Sequence, residues 1–506
     1  MDSTWPSSVH ALSVDHKLQQ ASSTMADHCA TFTRSRKIPH TTLEIPWNTP
    51  PFPKRPKSGK PYEAIARDAR QRLFLDWMDA EDAAVLATGH HADDNVETLI
   101  LGQLHSPNSM QVLEPCRRWG MGDSTRSLAF AGISGMRKSV IRPLLPFTKD
   151  QILATCEQLN LNYIVDQTNF QPDLTPRNRI RELLRNNGNT SVSELCTPQP
   201  APSSAKQTEF RSMALDAATS TELASNSTIV DAIGSLLRVH DLPQGMRDNR
   251  MLNDALRASA HLCTQTKAYL DAEASKYLEL HRHPSPPSTF ALLDGERPAG
   301  QKLCRTIIYR ILRFVSPFPW GSVASQAHRK TEAADALVEL LWPTLAAPLP
   351  SAPVTRGALV QWSPVVIRRD GQIKLATNKN FPAKSGDRRG WLASRQPAYV
   401  IPGTEEGSDG VLDITQAVAE SLWAGGNQHV ETLFDCRFLV RICVDALPAQ
   451  CQANIRTGEG TIGIRPSGAH WYPTLVWRPT GGIAVDISHN DSAGSTVWEA
   501  NPVREL

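Results

Sequence analysis

Asp93, Asp94 and Glu97 stand close together inside the stretch Thr88–Leu104, TGHHADDNVETLILGQL. On a helix, positions three and four apart share a face, so all three carboxylates would project together. Acids held that close repel one another unless a cation or a basic ligand joins them. The cluster is therefore a candidate site for Mg2+ and a nucleotide phosphate. The alternative is a solvated helix start, because acidic residues favour that position whatever the protein does. His90 and His91 at the turn favour the site, but these residues alone do not name a reaction.

The elements that would hold the cluster are legible on either side. Ala83–Ala87 is an unbroken apolar run of strand length, which predicts a buried strand. Gly89 then turns the chain, and Val96, Leu99, Ile100 and Leu104 recur near helical spacing. Strand, turn and helix alternate in this way through the N-terminal part of the chain, the pattern of an α/β fold with a parallel sheet. Ile65, Ala69, Leu73 and Trp77 recur every four residues and predict a helix with a buried stripe, entered at Pro61. Arg67 and Arg70 on that helix would reach a phosphate or pair with Glu63 and Asp68.

Composition bounds the rest. A chain of 506 residues with 40% hydrophobic and 21% charged side chains has room for two to four domains. The net charge of +2 is too balanced to name a nucleic-acid partner. Locally, Lys54–Arg72 is strongly basic, and Arg177, Arg179, Arg181 and Arg185 form a second patch. Such patches suit an RNA backbone or an ordinary solvated face. No apolar run is long enough to span a bilayer. None of the nine cysteines forms a CxxC pair, so no zinc knuckle or iron–sulfur site is indicated.

Further along, 188–226 is rich in Ser, Thr, Asn and Pro and is expected to be a flexible linker. Helical patterns follow at Ile229–Val239, Met251–Leu280, Leu303–Val315 and Thr331–Leu341, which defines a helical region over 227–345. From 346 to 506 the strand-like runs Leu359–Ile367, Phe438–Val444 and Trp471–Trp477 predict a mostly β accessory domain. Arg305, Arg310 and Arg313 flank an apolar stripe, and Trp391–Pro397 mixes aromatic and basic residues. Both features suit either core packing or RNA.

TGHHADDNVET resembles the GHHxDDxxET signature of the tRNA(Ile)-lysidine synthetases, a branch of the PP-loop ATP pyrophosphatases. Other matches occur in the family's order. Val14-Asp15-His16 is similar to its VDH strand end, Ile38-Pro39-His40 to its IPH entry, and Glu63–Arg70 to its EAxAREAR helix. Gly132–Met136 with Arg142–Leu145 resembles GLxGM and RPLL, and Asp166–Asn169 with Arg177–Arg181 resembles the D.SN and RNRIR close. The resemblance covers 1–187 and implies a parallel-sheet PP-loop (adenine nucleotide alpha hydrolase-like) domain.

It also implies a reaction: ATP adenylates the wobble cytidine of an isoleucine tRNA, and free L-lysine then displaces AMP. On that basis Asp93, Asp94, Glu97 and His91 are catalytic candidates, with Asp94 and Glu97 holding Mg2+. Asp15, His16, Gly89 and His90 would bind ATP. Arg177, Asn178, Arg179, Arg181, Arg67 and Arg70 would bind tRNA. No membrane partner is expected, a homodimer is admitted, and the expected compartment is the mitochondrion, with the cytoplasm as the alternative.

One departure stands against these matches. The family's SGGxDS loop, whose backbone amides would cradle pyrophosphate, is expected ahead of the VDH strand, where only Met1–His10 precede Ala11. Met1-Asp2-Ser3 resembles at most its end. The expectations are therefore an N-terminally truncated sequence, or a catalytically impaired relic acting as an RNA-binding or interaction protein. Another PP-loop tRNA-modifying enzyme is a further alternative.

Overall fold

The computed structural model describes residues 8–56, 63–105, 110–166, 170–172, 175–187, 226–239, 251–343, 352–377, 384–397, 410–425, 429–468, 470–491 and 494–506. The expected linker, apart from Asn226, lies outside the described residues. So do Met1–Ser3, Lys57, Lys60, Pro61 and Gln167–Asn169. The chain divides into two compact units: 1–118 with 138–269, and 119–137 with 270–506.

The first unit opens with β1 (Ala11–Asp15), α1 (Gln20–Ser35) and β2 (His40–Glu44). β1 and β2 pair in parallel, with Asp15 opposite Glu44. Lys17 takes a left-handed backbone, φ 54°, and its ammonium bridges Asp15 at 3.0 Å and Glu44 at 2.9 Å. Next come α2 (Glu63–Ala80), β3 (Val85–Ala87), α3 (Ala92–His105) and β4 (Cys116–Arg118). The short helix α4 (Gly132–Met136) belongs to the second unit, after which β5 (Ser139–Ile141) pairs parallel to β3 and antiparallel to β4. α5 (Lys149–Gln158), α6 (Pro176–Asn187), α7 (Asn226–Val239) and the first part of α8 (Leu252–His281) complete the unit. The expected parallel α/β arrangement is thus present.

Two local expectations are corrected. The apolar run at β3 is not buried: Val85 is 51% exposed, because β3 pairs on one side alone, with β5, among the described residues. The stripe on α2 also departs from four-residue spacing. Ile65 is 41% exposed, while Ala69, Leu75 and Met78 are buried, since a true helical period of 3.6 carries the inward face around the axis.

The core of this unit beside α3 is helical. Val96, Leu99 and Ile100 of α3 pack with Ile180 and Leu183 of α6, Ile229 and Ile233 of α7, and Leu252, Leu256 and Cys263 of α8. Each fully buried aliphatic side chain there contributes about 1.5–3 kcal/mol. That packing fixes the helix that carries the acidic cluster.

In the second unit, α8 ends and leads to β6 (Arg282–His283), β7 (Phe290–Leu293), α9 (Gln301–Val315) and α10 (Thr331–Leu341). The strands β8 (Val354–Thr355), β9 (Val360–Ile367), β10 (Ile373–Leu375) and β11 (Arg388–Arg395) follow. They form one sheet ordered β10-β9-β11-β7-β6, with β8 on β9. Strand β7 was not foreseen in the helical region. It is only four residues long, and a run that short carries little periodic signal. Trp362 and Trp391 sit in the core of this sheet, so Trp391 packs and does not face a ligand. Arg305 pairs with Asp335 through two 2.6 Å bonds.

The C-terminal elements are β12 (Leu412–Asp413), α11 (Thr415–Ala424), β13 (His429–Phe434), β14 (Phe438–Cys443), α12 (Ala449–Thr457), β15 (Gly460–Ser467), β16 (Tyr472–Pro479), β17 (Val485–Asp486) and β18 (Trp498–Pro502). They form two antiparallel sheets, β12-β15-β16-β17 and β13-β14-β18. Within Gly132–Met136, Gly135 is required by close packing. A Cβ on Gly135 would lie 2.0 Å from the carbonyl oxygen of Gly120, and Met121, Met136, Trp320 and Cys436 close one apolar cluster. Among the described residues, no helix is long and apolar enough to cross a membrane.

Candidate active site

Asp15 ends β1 and is 1% exposed. Its carboxylate accepts hydrogen bonds from the hydroxyls of Ser22 and Ser23 in the first turn of α1, the latter at 2.6 Å, and from the Lys17 amide at 2.9 Å. Burial works to raise its pKa, but these donors and the Lys17 ammonium prevail and hold it well below the usual carboxylate range. Asp15 therefore carries a fixed negative charge that ties strand to helix.

His16 follows. Its Nδ1 accepts the Leu18 amide at 3.0 Å, and its carbonyl accepts the Trp47 indole N–H at 2.8 Å. Burial pushes the imidazole pKa down, against the charges of Asp15 and Asp166, and Arg70 lowers it further. A neutral ring with Nδ1 accepting keeps its proton on Nε2.

The turn after β3 presents the second histidine. The Thr88 amide donates to the Ile141 carbonyl at 3.0 Å, extending the β3–β5 pairing into the turn, and the Thr88 hydroxyl lies 2.9 Å from His90 Nδ1. Burial depresses the His90 pKa, with Asp94 opposing and Arg142, Arg177 and Arg70 assisting. Arg70 thus acts on His16 and His90 alike. Gly89 is exposed, with open space around the position a Cβ would take.

α3 begins directly behind the turn. Its first amide, on Ala92, donates to the Phe147 carbonyl at 2.8 Å. Asp94 Oδ2 accepts the His91 amide at 3.0 Å, an N-terminal capping contact of the kind that anchors a first turn. The His91 ring lies between two acids, 3.7 Å from Asp93 and 3.5 Å from Asp94. Asp94 and Glu97 are buried.

Every acid of the cluster meets an arginine. Arg181 of α6 donates from Nε to Glu97 at 2.6 Å and from Nη2 to Asp94 at 3.3 Å. Arg177 stands 3.6 Å from the other Glu97 oxygen and donates to the Thr98 hydroxyl at 3.4 Å. Arg257 of α8 donates to Asp93. Burial raises the Glu97 pKa, and Arg181 and Arg177 oppose it. Glu97 Oε2 is buried and accepts no hydrogen bond. Asn178, also buried, donates through its side chain to the Gln171 carbonyl at 2.9 Å.

The basic patch on α6 is therefore not the poorly neutralised surface that three arginines in five residues suggest. Arg177 and Arg181 turn inward to α3, because an i, i+4 pair points to one side. Arg67 and Arg70 are exposed on α2. As they stand, Asp94 and Glu97 each give one oxygen to Arg181, so a Mg2+ ion bridging them would have to displace that guanidinium. Among the described residues, no group of three His, Cys, Asp or Glu side chains is placed to hold a metal. Arg257 escaped notice in the sequence; its only local signal is an acid three positions earlier, Asp254.

Parallel strands whose carboxyl ends gather histidines and acids at helix starts define a nucleotide-binding α/β domain. Residues 3–187 match the family model described as the PP-loop domain, and this part of the chain is a PP-loop domain. Over this part the chain is similar to tRNA(Ile)-lysidine synthases. Similarity is 30% identity over 189 residues to the probable tRNA(Ile)-lysidine synthase of Schizosaccharomyces pombe, 37% of this chain and 40% of that protein. It is 35% over 124 residues to the tRNA(Ile)-lysidine synthase of Bacillus subtilis, 24% and 22% of the respective chains. It is 30% over 172 residues to that of Enterococcus faecalis, 33% and 31%. The chain thus spans no more than 40% of the length of these curated relatives.

Proposed function

We propose that the protein joins L-lysine to the wobble cytidine of an isoleucine tRNA at the expense of ATP. Cytosine O2 attacks the α-phosphorus of ATP and pyrophosphate leaves. The ε-amine of lysine then attacks C2, and AMP departs with the oxygen. The observation that supports this reading is a pair of histidine-bearing turns, after β1 and after β3, whose part-buried imidazoles both feel the charge of Arg70. His16 follows β1, and His90 and Asp94 follow β3. The names of the relatives supply tRNA(Ile) and lysidine as substrate and product.

Each residue has a role in this scheme. His16 and His90, neutral because they are buried, would face the nucleotide without adding positive charge, and His90 could relay a proton. Asp94 and Glu97 would receive the ammonium of lysine once Arg181 yields, and the amine must lose its proton before it attacks. No step is assigned to a metal on these carboxylates. Arg67 and Arg70 are the tRNA contacts the exposure favours. The proposed compartment is the mitochondrion.

The test is transfer of label from α-labelled ATP to an isoleucine tRNA bearing C34, followed by lysine-dependent release of AMP. Label on the tRNA that lysine discharges supports the proposal. tRNA binding without label transfer would favour a second reading, a non-catalytic RNA-binding protein. One observation already points that way: guanidinium groups occupy all three acids.

A further inference from the structure

Arg257 lies 164 residues beyond Asp93 in the chain and outside the stretch that matches the PP-loop domain. Its Nε and Nη2 nevertheless both donate to Asp93 Oδ1, at 2.9 and 2.7 Å. The other oxygen, Oδ2, accepts the amide of Lys149 at 2.8 Å. Lys149 is the first residue of α5, directly after Thr148, whose hydroxyl and Gln151 close a capping box. One carboxylate thus joins three elements: the start of α3, the start of α5 and the side of α8.

The join is not an ordinary surface ion pair, whose contribution would be about 0–1 kcal/mol. The Arg257 and Asp93 side chains are both about three-quarters buried. The root of Arg257 is fixed because Leu252, Ala255, Leu256 and Ala260 of α8 are buried in the core they share with α3. A side chain on so firm a base loses little further freedom when it binds. Burial lowers the guanidinium pKa, but Asp93 and Asp254 outweigh it, so the cation is retained.

Asp93 precedes Asp94 and lies one helical turn before Glu97. With its charge met and both oxygens engaged, Asp93 does not compete for a cationic group. The orientation of the first turn of α3 then determines where Asp94 and Glu97 point. We propose that Arg257 is a positioning residue of the acidic site. Through Asp93 it holds the start of α3 against the start of α5, and so aims Asp94 and Glu97. The catalytic part of this inference rests on the reaction proposed above; the positioning part does not.

Two measurements on the full chain test it, using R257Q, R257K, D93N and the double variant R257Q/D93N. In hydrogen–deuterium exchange, R257Q should speed exchange of amides 92–97 and 149, while the buried stretch of α8 around Leu256 and Ala260 stays protected. In AMP transfer to tRNA, kcat should fall about ten- to a hundredfold, the cost of a small misplacement, with KM for ATP little changed. R257K should recover part of the loss. D93N should resemble R257Q, and the double variant should be no worse than either alone.

Unchanged exchange at 92–97 would overturn the proposal. So would additive losses in the double variant, or an exchange increase spread through α8. If the unaltered chain transfers no AMP, the reaction is wrong, and the exchange data still decide whether Arg257 positions α3.

Discussion

Arg181 reaches across 84 residues of sequence to place its Nε 2.6 Å from Glu97. The guanidinium opposes the rise that burial imposes on the Glu97 carboxyl. The partnership has a definite sign. Removing Arg181 leaves an uncompensated buried charge, whereas removing both groups leaves none. R181Q should therefore destabilise the first unit by about 3–5 kcal/mol near neutral pH. The paired change R181L/E97L should cost much less. Denaturant unfolding followed by tryptophan fluorescence checks both.

The same pair sets a pH dependence. The folded-state pKa of Glu97 lies above its ordinary value of about 4.3, so the native state holds this proton more tightly than the unfolded chain. Its contribution is full below the unfolded value and is lost as pH rises through the folded one. E97Q should remove that slope. Relative to the unaltered protein, the variant should gain stability as pH increases from about 4 upward, read as Tm against pH.

Asp15 runs the opposite way. Its folded pKa is depressed, so its contribution is present above the unfolded value of about 3.9 and is lost as pH falls through the folded one. D15N keeps the shape but loses the charge that Ser22, Ser23 and Lys17 satisfy. It should cost about 2 kcal/mol or more at pH 7, with the gap closing in strong acid. A gap that does not narrow at all as pH falls from about 4 to about 2 would mean shape, not charge, is what matters.

For tRNA, the exposed arginines of α2 and the part-buried ones of α6 should separate. R67Q/R70Q should weaken binding and reduce the log–log salt slope by somewhat under about one unit per lost phosphate contact. R177Q/R181Q should change stability more than slope. Filter binding over a salt series distinguishes them, and a larger slope change for the α6 pair would reverse the assignment.

In the second unit, Arg437 is fully buried. Its Nε donates to Asp435 at 2.7 Å, and its Nη2 donates to the carbonyls of His470 and Trp471. R437A should cost about 3 kcal/mol by removing the nearer of Asp435's two arginine partners, with Arg395 left at 3.5 Å. Thermal unfolding of the whole chain should show a lowered transition for this variant, while nucleotide binding by the first unit is retained.

Much of this was readable in the sequence because local rules agree with tertiary structure there. The strand–turn–helix around Thr88–Leu104 follows from an apolar run, a glycine and helical spacing, and α10 appears over Thr331–Leu341 as its pattern predicts. What escaped depends on distant partners. Nothing near Val85 says that β3 pairs on one side. Nothing near Arg181 says that its neighbours in space are Asp94 and Glu97. Arg257 is invisible for the same reason, since ion pairing carries no periodicity. Gly135 is explained by its close approach to Gly120, and sequence spacing does not report such contacts.

The excursion of 119–137 into the second unit has a consequence for how the chain is made. β4 and β5 can pair while the ribosome is still nearby, since Cys116 faces Ile141 and Arg118 faces Ser139. The intervening segment, with Met121 and Met136, then has to wait for Trp320 and Cys436 to emerge. At ~5–20 residues per second, the roughly 300 residues from Met136 to Cys436 take about 15–60 s to synthesise. During that interval two methionines and Phe130 stand without their native cover. Nascent chains should therefore recruit a holding chaperone over this window, and slowing translation should lower the soluble yield.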